Sequence, residues 1–272
     1  MMIYFIFHTN IKIKFCPILK FQRCKGLGIQ HISKEYLKNI QIPIPSIEKQ
    51  KEIVELCDKI TNLIDTNNVS IQNLKETSEK FIETISKSTH YSKILDLCNV
   101  NVSNMKKGQF DEINYVQISD VNEGNLLTYE KLTGEFPSRA KRIVRKDSIL
   151  YSTVRPNLRG YVYINEDIPN CIASTGFMVF ESKSNVNVNF KFIYYYLTTN
   201  HMINHLMTRS DDKAMYPSFS LEDLDTVLIP IISIEKQNNI VEFSDTCINE
   251  INRLTKLNSF YNEQIKNIIS NL

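Results

Sequence analysis

The chain is 272 residues long with 42% hydrophobic residues, enough for one large or two modest domains with a real core. Its formal charge of +2 gives no global basicity, so any nucleic-acid surface must come from local clustering of Lys and Arg. Six scattered cysteines (Cys16, Cys24, Cys57, Cys98, Cys171, Cys247) form no close pairs, which argues against a disulfide framework and a zinc site and fits a reducing cytoplasmic location.

In chain order, the apolar start Met1 to Phe7 is broken by His8, Asn10, Lys12 and Lys14, too soon for a signal core or a membrane span. It reads instead as part of a shortened core. The prolines of Ile42-Pro43-Ile44-Pro45 end an extended segment. Ser46 then supplies an N-cap oxygen and Glu48 an acid in the first turn, which predicts a helix start. Apolar or small positions then step by four and three: Ile53, Cys57, Ile60, Ile64, Asn67, Ile71, Leu74, Ser78, Phe81, Ile85. The register predicts a long helix that packs along a narrow seam.

From about Tyr91 to Leu228 the pattern changes to short β-rich runs: Tyr115 to Ile118, Ser148 to Val154, Gly160 to Ile164 and Gly176 to Phe180. Phe190 to Met207 reads as one helix, making this separate globular domain α+β. Then the junction returns. Ile42 to Glu55 recurs as Ile229 to Glu242, 187 residues later, with only three of 14 positions changed. Ser33, Glu35 and Leu37 match Ser220, Glu222 and Leu224 at the same offset. The second helix repeats the stepping at Ile240, Ser244, Cys247, Ile251, Leu254, Asn258, Tyr261, Ile265, Ile268 and Leu272. At about 1.5 Å per residue each helix runs on the order of 60 Å. Asn67 and Asn258 fall in the seam, either to fix register and partner or as tolerated defects. Ile6 to Asn10 faintly echoes Tyr196 to Asn200, as though residues 1–45 were the tail of a second globular domain.

These segments together resemble the specificity (S) subunits of type I restriction-modification systems. The duplicated junction is similar to that family's run from recognition domain into spacer helix. Asp147 to Gly160, followed by Ala173-Ser174-Thr175-Gly176-Phe177, is similar to the central strands of its recognition domains. Tyr216 to Leu224 and Gly28 to Ser33 look like the segments before each junction. The resemblance implies an α+β fold in which a target-recognition domain, a twisted sheet with helices, is flanked by two long helices pairing as an antiparallel coiled coil. The expected divisions are a remnant of a first recognition domain at 1–45, a spacer helix at 46–90, a recognition domain at 91–232 and a second spacer helix at 233–272. The usual arrangement has two complete recognition domains, so this chain is expected to be shortened at its N-terminal end. It implies a non-catalytic targeting role with no cofactor of its own. The implied partners are double-stranded DNA, a methyltransferase (modification) subunit and, in the full complex, a restriction subunit. A head-to-tail homodimer reading an interrupted palindrome is a further expectation.

The stretch Arg139 to Gly160 holds Arg139, Lys141, Arg142, Arg145, Lys146, Arg155 and Arg159 against the single acid Asp147. Such a stripe can neutralise phosphates, while Arg forks onto guanine and Asn onto adenine. Arg155, Asn157 and Arg159 are placed on a turn between strands, as candidates for base or groove contact. Lys141, Arg142 and Arg145 read as phosphate clamps, and Lys213 and Tyr216 as another edge of the surface. The plain alternative is a solvated surface charge at each position, on a coiled-coil assembly protein or an inactive gene fragment.

Catalytic patterns are weak. Glu181-Ser182-Lys183 has no Pro-Asp partner before it, and His201 and His205 at helical spacing lack the intervening glutamate of a zinc protease. No phosphate loop occurs among the seven glycines, and no Asn-Pro-Pro-aromatic methyltransferase signature is present.

Overall fold

A computed structural model describes residues 44–209 and 217–271, so the remnant domain expected at 1–45 falls almost wholly outside the described residues. The first element is helix α1, Ile47–Ile85, begun as expected by Ser46, whose Oγ accepts from Lys49 N at 3.3 Å. Gln50 Nε2 reaches back to the Pro45 carbonyl at 2.9 Å, closing the turn before the helix. Then come β1 (Tyr91–Lys93), the short α2 (Ile94–Leu97), β2 (Cys98–Val100) and β3 (Glu112–Val116). A tight hairpin follows, with β4 at Val121–Asn122 and β5 at Asn125–Leu126, and after it β6 (Glu130–Thr133) and β7 (Ala140–Ile143). Next are β8 (Ile149–Ser152), β9 (Tyr161–Tyr163), β10 (Cys171–Ser174) and β11 (Phe177–Ser182). Helices α3 (Phe190–Leu197) and α4 (Asn200–Arg209), strand β12 (Leu228–Pro230) and helix α5 (Ile234–Ser270) complete the order.

Compactness divides the chain inside the two long helices rather than at their junctions. One unit runs from Glu76 to Thr246, and the other joins the described residues up to Lys75 to the part of α5 from Cys247 onward. In the helical unit the stepping positions form the buried side of each helix. Ile53, Cys57 and Ile265 share one buried cluster, with Ile60, Ile64 and Ile268 packed against it. Asn67 Nδ2 donates to Asn258 Oδ1 at 2.8 Å, and Asn258 Nδ2 donates to Asn68 Oδ1 at 2.9 Å. Low numbers on α1 meet high numbers on α5, so the pair is antiparallel. The seam asparagines are thus bonded to each other and to Asn68, which offsets part of the penalty of burying an amide and leaves a contact available in only one register.

The globular unit is built in layers. One four-stranded sheet has the order β6-β3-β10-β7, with β3 and β10 parallel. The other has the order β2-β11-β8-β9, antiparallel throughout. Alternation along the strands assigns the faces. On β10, Cys171 and Ala173 enter the cluster between the sheets with Leu150, Val162, Phe177 and Val179, while Ile172 turns to the outer cluster with Ile113, Tyr115 and Ala140. On β9, Val162 faces the other sheet and Tyr161 and Tyr163 face α3, where both rings meet Tyr194 edge-on at 6.2 and 5.7 Å. The unit's parts of α1 and α5 meet through the Phe81 and Phe243 rings, 4.4 Å apart.

The expected single helix over Phe190 to Met207 is two helices. Thr198 and Thr199 hydroxyls each donate at 2.9 Å to carbonyls three residues back, those of Tyr195 and Tyr196, and Thr199 Oγ1 then accepts from Met202 N at 3.3 Å. Consecutive threonines competing for backbone partners end α3 and cap α4. The four described cysteines are free and buried. Burial pushes the Cys98 and Cys171 thiols up to about 12, so both stay protonated at neutral pH. Among the described residues no helix is long and apolar enough to cross a membrane.

Candidate nucleic-acid interface

Strand β8 leaves the sheet at Ser152, and β9 re-enters it at Tyr161; the residues between them form a single 3-10 turn over Pro156–Leu158. Both flanking residues are left-handed: Arg155 at φ 49, ψ 66 and Arg159 at φ 57, ψ 38. A non-glycine residue there costs about 1–3 kcal/mol, and two within five residues persist only when their surroundings over-determine them. The surroundings do so. Arg155 N donates to Pro217 O at 2.8 Å, Leu158 N to Arg155 O at 2.8 Å and Arg159 N to Pro156 O at 3.0 Å. Gly160 sits where an added Cβ would lie 3.0 Å from Ser152 Cβ. Pro156 is buried inside the turn, while Arg155, Asn157 and Leu158 are exposed on it.

Arg159 differs from its neighbours. Its guanidinium donates to Tyr161 Oη at 3.2 Å and to Asn200 Oδ1, and lies 3.6 Å from a Glu123 carboxylate oxygen. Burial works against its charge, but the Tyr161 hydroxyl and the Glu123 and Glu79 carboxylates outweigh it and hold the pKa above the ordinary value. The β4-β5 hairpin leans on the same turn, with Glu123 N bonded to Arg159 O and Gly124 N to Tyr161 O, each at 2.8 Å. Glu123 and Gly124 both have positive φ, the geometry of a tight hairpin turn. Neither Glu123 nor Asn200 stands out in the sequence; the only signal is the Asn-Glu-Gly-Asn run that marks the hairpin.

The earlier part of the basic stretch lies on and after β7. Lys141 is exposed. Arg142 is half-buried; it donates through Nη1 to Asn104 Oδ1 at 2.9 Å, its Nε is buried without a hydrogen-bond partner, and burial lowers its pKa. Arg145 forms an ion pair with Glu181 at 2.6 Å and donates to Ser103 Oγ at 3.0 Å. Glu181 is thus a carboxylate near the end of β11 with a cation already on it. Lys213 and Tyr216 lie outside the described residues. His205 accepts or donates a bond with Thr226 Oγ1 at 3.0 Å, and His201 is exposed. Among the described residues no group of three or more potential metal ligands occurs.

The duplicated junction repeats its chemistry at the second copy. Ser233 Oγ accepts from Lys236 N at 3.4 Å, and Gln237 Nε2 donates to Ile232 O at 2.9 Å. There the glutamine does more: Gln237 Oε1 also accepts from Asn189 N at 2.8 Å, at the start of α3. Asp245 takes the Lys191 ammonium at 2.8 Å and the Tyr195 hydroxyl. These bonds fix α3 against the first turns of α5, and α3 in turn carries Tyr194 against Tyr161 and Tyr163 of β9.

Comparison with known proteins agrees with this architecture. The chain is 25% identical over 157 residues to the type I restriction enzyme HindI specificity subunit of Haemophilus influenzae, covering 55% of this chain and 34% of that protein. It is 34% identical over 83 residues to the MjaVIII specificity subunit of Methanocaldococcus jannaschii, covering 30% of this chain and 19% of that protein. It therefore spans about one third or less of the length of these relatives. The fold is similar to the crystal structure of the HsdS subunit from Thermoanaerobacter tengcongensis, with a TM-score of 0.52, 14% identity, and coverage of 92% of this chain and 63% of that one. For the type I S subunit from M. genitalium the TM-score is 0.54, with 15% identity and coverage of 91% and 67%. A sequence model described as the type I restriction modification DNA specificity domain matches residues 2–76 and 88–260. With nearly the whole chain matched, and a layered domain joined to paired helices, the chain belongs to the type I restriction modification DNA specificity family.

Proposed function

We propose that this chain is a sequence-reading subunit: its globular unit contacts double-stranded DNA and directs methylation, and in a complete complex restriction, by partner subunits. It supplies no catalytic group itself, and it works in the cytoplasm. The reading draws on family membership and on one structural observation, the strained and tightly bonded 155–159 turn that carries exposed Arg155, Asn157 and Leu158. Such a turn has its backbone ordered in advance, so polar side chains reach base edges at the cost of their own ordering alone. Arg155 and Asn157 are the proposed base or groove contacts. Lys141, Arg142 and Arg145 are proposed at phosphates, and Lys213 and Tyr216 at a further edge of the surface. Arg159 serves the same interface from behind the turn, as its brace.

The methyltransferase subunit is the partner through which a bound sequence becomes a modified one, and the restriction subunit joins in the full complex. Co-expression with candidate modification subunits, followed by genome-wide mapping of methylated bases, tests the reading. A new motif that vanishes with Arg155→Ala supports it, and a soluble complex that methylates nothing defeats it. An interrupted palindrome in that map marks a head-to-tail homodimer, and a single half-site marks a lone reading head.

A further inference from the structure

The turn that presents Arg155 and Asn157 also presents a leucine, which the charge-based view of the interface leaves without a task. Leu158 is 60% exposed at the end of the 3-10 turn. Exposed leucines are common and by themselves mean nothing. This one differs in how its backbone is held. On one side Arg155 N is bonded to Pro217 O and Phe219 N to Thr153 O; on another, Thr153 N and Oγ1 both bond to Gly176 O; on a third, Glu123 N is bonded to Arg159 O. Pro156 is buried and Arg159 half-buried, so Asn157 and Leu158 are, with Arg155, the exposed side chains on a base that is already ordered. A side chain on such a base gives up little backbone freedom when a partner covers it, so less ordering cost is set against its apolar burial.

The edges of DNA bases in the major groove offer one apolar group, the C5-methyl of thymine. The neighbouring Asn157 carries the amide whose two-bond partner is adenine N6/N7. An apolar tip beside an amide therefore matches A·T pairs on both counts. We infer that Leu158 is a specificity-determining residue that packs on a thymine methyl, with Asn157 on an adenine, so that this turn reads A·T pairs in the major groove. The inference rests on the DNA-reading role proposed above.

The test begins with selection of bound duplexes from a random-sequence library by the full chain. Each thymine of the selected site is then replaced by uracil, which removes only the methyl. The wild-type chain should lose about four-fold in affinity at one thymine, the value of one buried methyl. Leu158→Ala should bind the unsubstituted site more weakly by a similar or larger factor, keep its melting temperature, and be indifferent to uracil at that one position. Selection with Leu158→Ala should relax the same position. If the variant responds to every uracil as the wild type does, or loses affinity equally for thymine and uracil duplexes, Leu158 reads no methyl while the DNA-reading role stands. If no sequence is enriched by the wild-type chain, the DNA-reading role itself fails and takes this inference with it.

Discussion

Seven basic residues fall between Arg139 and Gly160, and the fold treats the two ends of that stretch differently. Around β7 the cations are spread over the strand, which carries Lys141 and Arg142, and the segments flanking it, which carry Arg139, Arg145 and Lys146. Arg145 is bonded to Glu181 and Ser103, and Arg142 to Asn104, so part of the charge is already met within the protein. At 155–159 the backbone is strained and tightly bonded, and three of five side chains face solvent. A charge count scores the two ends alike. Conformation separates them, and the proposed division of labour is sequence-independent attraction around β7 and discrimination at the turn. Two of the six described non-glycine residues at positive φ fall in this turn, where the backbone is also tightly bonded and the side chains exposed, and that combination motivates the recognition role proposed for it.

The largest expected effect comes from removing the brace. Arg159→Ala leaves the Tyr161 hydroxyl, 6% exposed at the residue level, without its donor and leaves Glu123 beside a lost cation. Unfolding free energy should fall by about 2–3 kcal/mol, from lost bonds and an unsatisfied buried group. DNA affinity should fall more than ten-fold, because the turn loses its shape. Arg159→Lys should not restore either quantity, since one ammonium cannot serve three partners arranged around a planar fork. Denaturant titration and DNA binding on the same samples check this; normal stability with lost binding would mean that Arg159 touches DNA directly.

Arg155 separates strain from chemistry. Alanine and glycine both remove the guanidinium, and each should weaken DNA binding by about 1–3 kcal/mol if Arg155 forks onto a base. Only glycine adopts positive φ without a steric cost, so Arg155→Gly should be more stable than Arg155→Ala by about 0.5–1 kcal/mol. Equal stability of the two variants would show that the left-handed backbone at Arg155 is not retained.

The amino-acid sequence carries part of this architecture in plain form. The repeat locates both helix starts, and the stepping pattern names the seam, since the stepping positions of α1 are buried or half-buried while most of their neighbours are exposed. Those signals are local and periodic. The break at Thr198 and Thr199 is hidden because an apolar run such as Phe190 to Leu197 masks the competition of two hydroxyls for the backbone. The inward turn of Arg159 is hidden because its partners Asn200 and Glu123 lie 41 and 36 residues away in sequence, and nothing local announces them. The left-handed conformation of two arginines is equally hidden, because positive φ is read from glycine or asparagine, and here the constraint comes from Pro217, Gly176 and the β4-β5 hairpin instead.

The smallest expected effect tests the other side of the comparison. Arg145 has a side chain 53% exposed and Glu181 one 21% exposed, so their ion pair contributes only about 0–1 kcal/mol to stability. Glu181→Gln removes the carboxylate charge and leaves the guanidinium available to a phosphate. Affinity for DNA of any sequence should then rise a few-fold at low salt, and the slope of log affinity against log salt should steepen by up to about one. The selected sequence should stay the same, because a phosphate contact carries no base information. Salt titrations of Glu181→Gln beside wild type read both quantities. An unchanged slope would remove Arg145 from the DNA surface and leave the whole of recognition to the turn and the cations that are not bound to Glu181.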